Sequence, residues 1–120
     1  MYEQTNNYQK GKLGEAICSE YLKKQSYKIL CKNWYCNWGE IDLVAGLDGK
    51  LVFIEVKSVN NTSYCNPVEL FSKNKQRKLL RAIYFFLSKY KVKRWQLDLV
   101  CITQDHAQVW IEHYKNVLAF

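Results

Sequence analysis

The spacing of hydrophobic and polar positions predicts two helices and five strands. Apolar side chains recur every three or four residues over residues 9–24, and again along a segment that ends near residue 90. Shorter β-like runs cover residues 27–33, 40–45, 51–57, 96–102 and 108–113. The predicted order is therefore αβββαββ, which is typical of an α/β fold with a mixed sheet of about five strands flanked by helices.

The chain is expected to form one domain over residues 1–120, with residues 1–8 as a flexible N-terminal tail. It contains no internal repeat, low-complexity tract or linker. Asn66, Pro67 and Glu69 carry a strong helix-start signal, and Ser72 offers a second one. No apolar run approaches the roughly 20 residues that cross a bilayer, and the N-terminus lacks the apolar segment of a signal peptide. We expect a cytoplasmic protein.

The strongest turn signal in the sequence is Asp48-Gly49. This dipeptide favours a type I′ hairpin because both central residues then have positive φ. If Leu47 pairs with Lys50, side chains at alternating positions fall on a common face of the hairpin. That register places six side chains on one face in three opposed pairs, namely Asp42 with Glu55, Glu40 with Lys57, and Val44 with Phe53.

Two opposed carboxylates need something positive between them. Directly opposed side chains lie about 5 Å apart, where like charges repel. Val44 and Phe53 share the charged face, so neither side of this hairpin is fully solvated. Hard oxygen ligands on neighbouring strands suit Mg²⁺ or Mn²⁺. The competing interpretation is a solvated charged face, with the core side formed by Ile41, Leu43, Ile54 and Val56.

Two further acidic residues have ordinary interpretations. Glu15 borders the apolar stripe of the first helix, because Cys18 and Leu22 follow it at helical spacing. A surface glutamate near a helix N-terminus is also stabilised by the helix dipole. Asp98 is expected to pair with a neighbouring Arg or Lys.

The charge balance favours a polyanionic partner. The chain has 18 Lys and Arg against 11 Asp and Glu, a net charge of +7. Basic residues cluster on the second helix at Lys73, Lys75, Arg77, Lys78 and Arg81. The cluster indicates either a nucleic-acid surface or an ordinary solvated helix face. Trp34, Tyr35 and Trp38 are candidates to stack on unpaired bases or, alternatively, to pack at the sheet edge.

The acidic residues also belong to a recognisable pattern. Asp42 is followed, after twelve residues, by Glu55-Val56-Lys57, which resembles the PD-(D/E)xK signature of restriction-endonuclease-like nucleases. The wider pattern comprises Gly11, Gly14-Glu15, Asn33, Gly39-Glu40-Ile41-Asp42, Val52-Phe53-Ile54-Glu55-Val56-Lys57, Lys75-Gln76-Arg77 and Asp98. Over residues 9–102 it resembles the YraN family of small bacterial proteins, which is similar to archaeal Holliday junction resolvases.

The resemblance implies a nuclease-like fold and a metal site that binds Mg²⁺ or Mn²⁺. Asp42 and Glu55 would be metal ligands together with Glu15 and the backbone carbonyl of Val56, and Lys57 would orient or deprotonate water. The catalytic set would be Lys57, Asp42, Glu55 and Glu15. The nucleic-acid surface would comprise Lys73, Lys75, Gln76, Arg77, Lys78 and Arg81, with Gln76 or Lys75 supporting the site or contacting phosphate.

Three functions follow from these observations. The first is a metal-dependent endonuclease acting on branched or otherwise non-standard DNA, for which a homodimer would suit symmetric cutting of a four-way junction. The second is a non-catalytic nucleic-acid-binding module on the same fold. The third is an adaptor whose basic surface meets an acidic protein. The expected partner is DNA with branched or single-stranded features.

Overall fold

The structure is a computed structural model that describes residues 2–59, 71–105 and 108–119, the side chains of residues 2–10, 105 and 119 excepted. Its elements are α1 (Tyr2–Lys24), β1 (Lys28–Cys36), β2 (Gly39–Leu47), β3 (Lys50–Val59), α2 (Lys73–Lys89), β4 (Trp95–Asp105), β5 (Gln108–Tyr114) and a short 3₁₀ helix (Val117–Ala119). All five strands lie in one sheet in the order β1-β2-β3-β4-β5. The α/β class and the order αβββαββ are confirmed.

The helix boundaries differ from the predicted ones at two places. α1 begins at Tyr2, so residues 2–8 are helical where the sequence predicts a tail. An established helix extends readily, because each added residue gains a backbone hydrogen bond; the flexibility of this segment stays a prediction. α2 begins after Ser72, whose side chain accepts a hydrogen bond from the Lys75 amide. The predicted start at Asn66 and Pro67 lies outside the described residues.

The sheet combines an antiparallel meander with one parallel pair. β1, β2 and β3 pair antiparallel, β3 pairs parallel with β4, and β4 pairs antiparallel with β5. A parallel pair needs a long crossover connection, and this one carries α2. Within the described residues, neither helix has the combination of length and apolar composition that a bilayer span requires.

The turn between β2 and β3 has the predicted geometry. Asp48 and Gly49 have φ of 50° and 78°, as a type I′ turn requires. The predicted register is confirmed from Leu47 paired with Lys50 as far as Leu43 paired with Ile54. This turn therefore fixes which residues of the two strands come together at the far end of the hairpin.

A hydrophobic core lies on each face of the sheet. The α1 face buries Cys18, Leu22, Tyr27, Leu43, Ala45, Val52, Ile54, Val100 and Ile102. The α2 face buries Ile41, Val44, Phe53, Phe71, Leu79, Ala82, Ile83, Phe86, Leu97, Leu99, Cys101 and Val117. Both faces of the central strands are covered, which accounts for their continuous apolar runs.

The alternation of side chains is interrupted near the far end of β2. Ile41 and Val44 are three residues apart yet pack in the same core, so two adjacent residues between them share a face. On the neighbouring strand Asn33 has a φ of 52°, which marks the irregularity there. The prediction that Asp42 and Glu40 share one face with Val44 and Phe53 is therefore wrong, because strict alternation stops before Asp42 is reached.

Candidate metal centre

A close approach of α1 to β3 brings Glu15 to the sheet. Gly14 is buried, and a Cβ atom at this position would collide with Ser58 Oγ and lie 3.3 Å from Ser58 Cβ. Only glycine permits this contact without displacement of the helix or of Ser58. Glu15 follows directly, so its position depends on how closely the helix packs.

Asp42 occupies the point where the paired ladder of β2 and β3 ends. Its Oδ2 accepts a hydrogen bond of 2.8 Å from the backbone amide of Val56. The described pairs stop one residue earlier, at Leu43 and Ile54, so the aspartate side chain takes an amide hydrogen that a regular ladder would give to a carbonyl. The neighbouring Glu55 carboxyl raises the pKa of Asp42, which places the two side chains close together. The predicted proximity of these two residues is therefore seen, although not as a regular ladder pair.

Carboxylates from one helix and one strand converge on the same place. One oxygen from each of Glu15, Glu40 and Asp42 lies within 4.8 Å of the others. Together with Glu55, whose charge acts on Asp42, these side chains form what we call the acidic cluster. Carboxylates at these separations repel one another unless protons or cations intervene.

Burial and mutual repulsion raise the pKa of Asp42 to about 7. Burial has the largest effect, and the charge of Glu55 and its hydrogen bond follow. The Val56 amide and the charge of Lys57 act in the opposite direction without cancelling the increase. Near neutral pH, Asp42 therefore exchanges between its protonated and ionised forms unless a cation binds there.

Two other members of the cluster, Glu15 and Glu40, respond in the same way. Burial and then the charge of Asp42 raise the pKa of Glu15, and burial followed by Asp42 and Glu15 raises the pKa of Glu40. Burial also raises the pKa of the neighbouring Cys18 thiol to about 12, with contributions from Asp42 and Glu15. Strongly perturbed carboxyl groups in a cavity are typical of functional sites.

Lys57 lies beside the cluster. Its Nζ is 3.4 Å from Glu55 Oε2, which places both residues on one face of β3 as alternation predicts. A cavity of about 270 Å³ is lined by Trp38, Gly39, Glu40, Glu55, Lys57, Lys75, Lys78 and Leu79. Acidic groups, Lys57 and two basic side chains of α2 therefore face a common space.

The basic residues predicted on α2 are distributed over several positions. Lys75 and Lys78 line the cavity beside Glu55, and Arg81 lies over the ring of Trp38, 5.7 Å from its centroid. Lys73 and Arg77 are exposed outside that cavity lining. Gln76 donates a 2.9 Å hydrogen bond to the Phe71 carbonyl, which secures the start of the helix.

Two residues join the site without having been assigned a role from the sequence. Glu40 was predicted opposite Lys57, and the structure adds it to the acidic cluster. Asn33 hydrogen-bonds Glu15, and its Oδ1 is buried with no hydrogen-bond partner among the described residues. Both residues belong to the family pattern, and this was the one signal in the sequence that could have predicted their place in the site. Hydrophobic periodicity could not predict it, because the irregular backbone that turns them toward α1 does not change the spacing of apolar residues.

The aromatic residues at the end of β1 and in the turn to β2 separate into two groups. Trp34 packs on Phe86 with ring centroids 5.1 Å apart. Of the two roles predicted for it, this contact agrees with packing at the sheet edge. Tyr35 is exposed and its hydroxyl hydrogen-bonds Glu40. Trp38 is exposed at the cavity rim.

Asp98 lies in a separate polar network. It is fully buried, and its partner is His113 at 2.7 Å where the sequence predicts an Arg or Lys. A histidine on β5 reaches it because β4 and β5 pair with Val100 opposite His113. Asp98 accepts further hydrogen bonds from the Gln96 side chain, the Asn116 amide and the Tyr27 hydroxyl. Asp98 therefore belongs to this network and not to the acidic cluster.

The acidic cluster fits a hard divalent cation. It offers carboxylate oxygens from Glu15, Glu40, Asp42 and Glu55, which are the ligands that Mg²⁺ and Mn²⁺ prefer. The unpartnered amide oxygen of Asn33 is of the same chemical type. A bound cation would remove the repulsion that raises these pKa values. The Val56 carbonyl as a ligand stays a prediction.

The fold and the site define a mixed α/β protein with a candidate metal centre at one end of its sheet. The chain belongs to the uncharacterised protein family UPF0102, whose model matches residues 14–102, and this is the YraN family of the sequence pattern. UPF0102 proteins similar to it include one from Carboxydothermus hydrogenoformans, 34% identical over 96% of this chain and 99% of its own length. Another, from Persephonella marina, is 37% identical over 89% of this chain and 90% of its own length.

Proposed function

We propose that the protein is a metal-dependent endonuclease that hydrolyses phosphodiester bonds in branched or otherwise non-standard DNA. The observation that carries this proposal is the acidic cluster, of which Glu40 and Glu55 line one cavity together with Lys57 and basic residues of α2. The resemblance of Asp42 and Glu55-Val56-Lys57 to the PD-(D/E)xK signature supports the same reaction class.

Glu15, Glu40, Asp42 and Glu55 would hold the cation, which when bound lowers the pKa of water and neutralises phosphate charge. The Val56 amide fixes the Asp42 carboxylate through its 2.8 Å hydrogen bond. Asn33 fixes Glu15 through its side-chain amide. These contacts restrict the movement of the ligands, as a preorganised site requires.

Lys57 acts on the phosphate and the water. Its ammonium has three hydrogen-bond donors and no acceptor, so beside Glu55 it orients water and stabilises charge developing on phosphate oxygen. Glu40 lines the same cavity and has a raised pKa caused by burial, Asp42 and Glu15. Because Glu40 is one of the carboxylates that would hold the cation, it would help to position the attacking water, whose proton would pass to solvent.

Lys75 and Lys78 hold the nucleic-acid backbone beside the cluster. Their ammonium groups line the cavity that contains Glu55 and Lys57. Contacts of this kind supply affinity that decreases with salt and carries little sequence information. The substrate is then distinguished by its shape.

The test is cleavage of labelled four-way junction, flap, single-stranded and duplex DNA with Mn²⁺, Mg²⁺ or EDTA. We expect metal-dependent cutting by the wild type, and a loss of roughly a hundredfold or more in Lys57→Ala and Glu55→Gln, as for other removed charge-stabilising groups. DNA binding should persist in both variants. Lys50→Ala is the matched control, because Lys50 lies on the same strand at the turn end of the hairpin.

Equal cutting by Lys57→Ala and the wild type would indicate a contaminating nuclease and contradict the proposal. Salt-sensitive binding without cutting under any metal condition would instead identify a non-catalytic nucleic-acid-binding module. Absence of both would favour the protein adaptor.

A further inference from the structure

A second cavity adjoins the acidic cluster and is lined mainly by aromatic rings. Its volume is about 520 Å³, and its lining consists of Trp38, Arg81, Tyr84, Phe85 and Ser88. This volume falls within the range of small-molecule binding sites. Nothing in the reaction proposed above uses Tyr84, Phe85 or Ser88.

The rings of this aromatic cavity are unusually accessible. Trp38 is 53% exposed, Tyr84 58% and Phe85 38%. Trp38 lies in the two-residue turn between Cys36 and Gly39, which pair with each other. Large apolar side chains gathered on a surface mark binding sites more often than scattered ones do.

Basic groups accompany the rings. The Arg81 guanidinium carbon lies 5.7 Å from the centroid of the Trp38 ring, and Lys89 Nζ lies 5.0 Å from that of Phe85. Among the described residues, the cavity lining contains no acidic side chain. Flat apolar surfaces flanked by cations match a nucleotide, which combines an aromatic base with an anionic phosphate.

Trp38 connects the two cavities. It lines the aromatic cavity and also the cavity that contains Glu40, Glu55 and Lys57. A nucleic-acid strand with one phosphate at the acidic cluster therefore has a neighbouring nucleotide within reach of Trp38. A base inside a duplex is covered on both faces by its neighbours, whereas an unpaired base offers a free face to an aromatic ring.

We propose that the aromatic cavity binds an unpaired nucleobase adjacent to the phosphate that lies at the acidic cluster. This inference rests on the proposed function and specifies its substrate class: nucleic acid with at least one unpaired nucleotide beside the cleavage position. Trp38 provides the stacking surface, and Arg81 provides a second planar group and a positive charge. Both act as specificity-determining residues.

The test measures binding in EDTA, so that it does not depend on catalysis. The probes are a fully paired duplex and the same duplex with one bulged 2-aminopurine, whose fluorescence is quenched on stacking. We expect the wild type to bind the bulged probe roughly tenfold more tightly at equal salt, with quenching. Trp38→Ala should lose this preference and the quenching, whereas Trp38→Phe should keep most of both.

Trp110→Ala is the matched control, because Trp110 is a 46% exposed tryptophan on β5 outside the cavity lining. It should bind both probes as the wild type does. The inference is overturned if the wild type shows no preference, if Trp38→Ala keeps it, or if Trp110→Ala loses it equally. A Trp38-dependent preference without cleavage would reject the nuclease and retain the base site. Cleavage without a Trp38-dependent preference would retain the nuclease and reject the base site.

Discussion

Two aspartates of one sheet, the half-buried Asp42 and the buried Asp98, have opposite environments. Asp98 is surrounded by donors, namely His113, Gln96, the Asn116 amide and Tyr27. Asp42 receives one backbone hydrogen bond, and its other close neighbours include Glu55, Glu15 and Glu40.

The pKa values of the two residues reflect this contrast. Burial alone would raise the pKa of Asp98, but hydrogen bonds from His113, Asn116 and Gln96 outweigh it and lower the pKa. Burial and the nearby Glu55 raise the pKa of Asp42 to about 7. The protein neutralises one buried carboxylate with its own donors and leaves the other to be neutralised by a proton or a cation. Asp98 is therefore structural, while Asp42 is suited to binding.

The largest effect is expected from removal of the structural carboxylate. Asp98→Ala leaves four donors without their acceptor, the buried Tyr27 hydroxyl among them, and loss of the partner of a buried polar network costs about 3–5 kcal/mol of unfolding free energy. Since the pKa of Asp98 is lowered in the folded state, the wild type should also lose this contribution as acid protonates the residue. Urea unfolding near neutral pH measures the change, with Asp48→Asn at the exposed turn as control, because Asn-Gly suits the positive φ at that position. A loss of unfolding free energy below about 1 kcal/mol would contradict the structural role of Asp98 and so its contrast with Asp42.

The second effect has the opposite sign. The pKa of Asp42 in the folded state is about 7, above its ordinary value of 3.8. Between these values the folded protein binds more protons than the unfolded chain, so metal-free protein should lose stability as pH rises. Asp42→Asn should therefore stabilise metal-free protein at about pH 8, by on the order of 2–4 kcal/mol, and much less at about pH 4.

The same variant tests the cation. Mn²⁺ should stabilise the wild type more at about pH 8 than at about pH 5, because the ligands must be ionised. Asp42→Asn should weaken that response strongly. Asp48→Asn is the matched control, since Asn-Gly suits the same turn. Identical Mn²⁺ responses in Asp42→Asn and the wild type would contradict the metal centre.

The smallest effect concerns the helix contact that positions Glu15. Gly14→Ala should cost about 1–3 kcal/mol through overpacking against Ser58 and should weaken Mn²⁺ binding without affecting the Asp98 network. Ser58→Ala alone should change stability by less than about 1 kcal/mol, because its hydroxyl is buried with no partner among the described residues. The double variant should recover part of the loss.

Gly11→Ala provides the control for this series. Gly11 is also on α1, but a Cβ there meets nothing within 4 Å. This substitution should leave stability unchanged or raise it by up to about 1 kcal/mol through helix propensity. Strictly additive effects of Gly14→Ala and Ser58→Ala in unfolding experiments would show that the two residues are not in contact.

Much of the fold followed from local signals. Periodicity located the elements because both faces of the sheet are covered by helices, and the Asp48-Gly49 turn fixed the hairpin register as far as Leu43 and Ile54. That register brought Asp42 close to Glu55. These features depend on residues that are close together in the sequence. For such residues, the spacing of apolar and polar positions determines directly which side chains share a face.

The remainder depended on features that periodicity does not contain. The positive φ of Asn33 and the interrupted alternation near Asp42 reorient side chains at the end of the hairpin. As a result Glu40 joins Glu15 in the acidic cluster. The pairing of Asp98 with His113 was also missed, because it depends on the register between β4 and β5 and no tight-turn dipeptide like Asp48-Gly49 specifies that register.

The polar network around Asp98 has a consequence for the cooperativity of unfolding. Tyr27, which precedes β1, and Asn116, which follows β5, both donate to this one carboxylate on β4. Tyr21 of α1 is joined to it through His113. Displacement of Tyr27 before β1, or of His113 on β5 and the Asn116 amide after it, therefore leaves a buried carboxylate short of donors. Local unfolding near Tyr27 or near Asn116 is thus linked to disruption of the central sheet. We expect both segments to unfold together with the sheet and not before it.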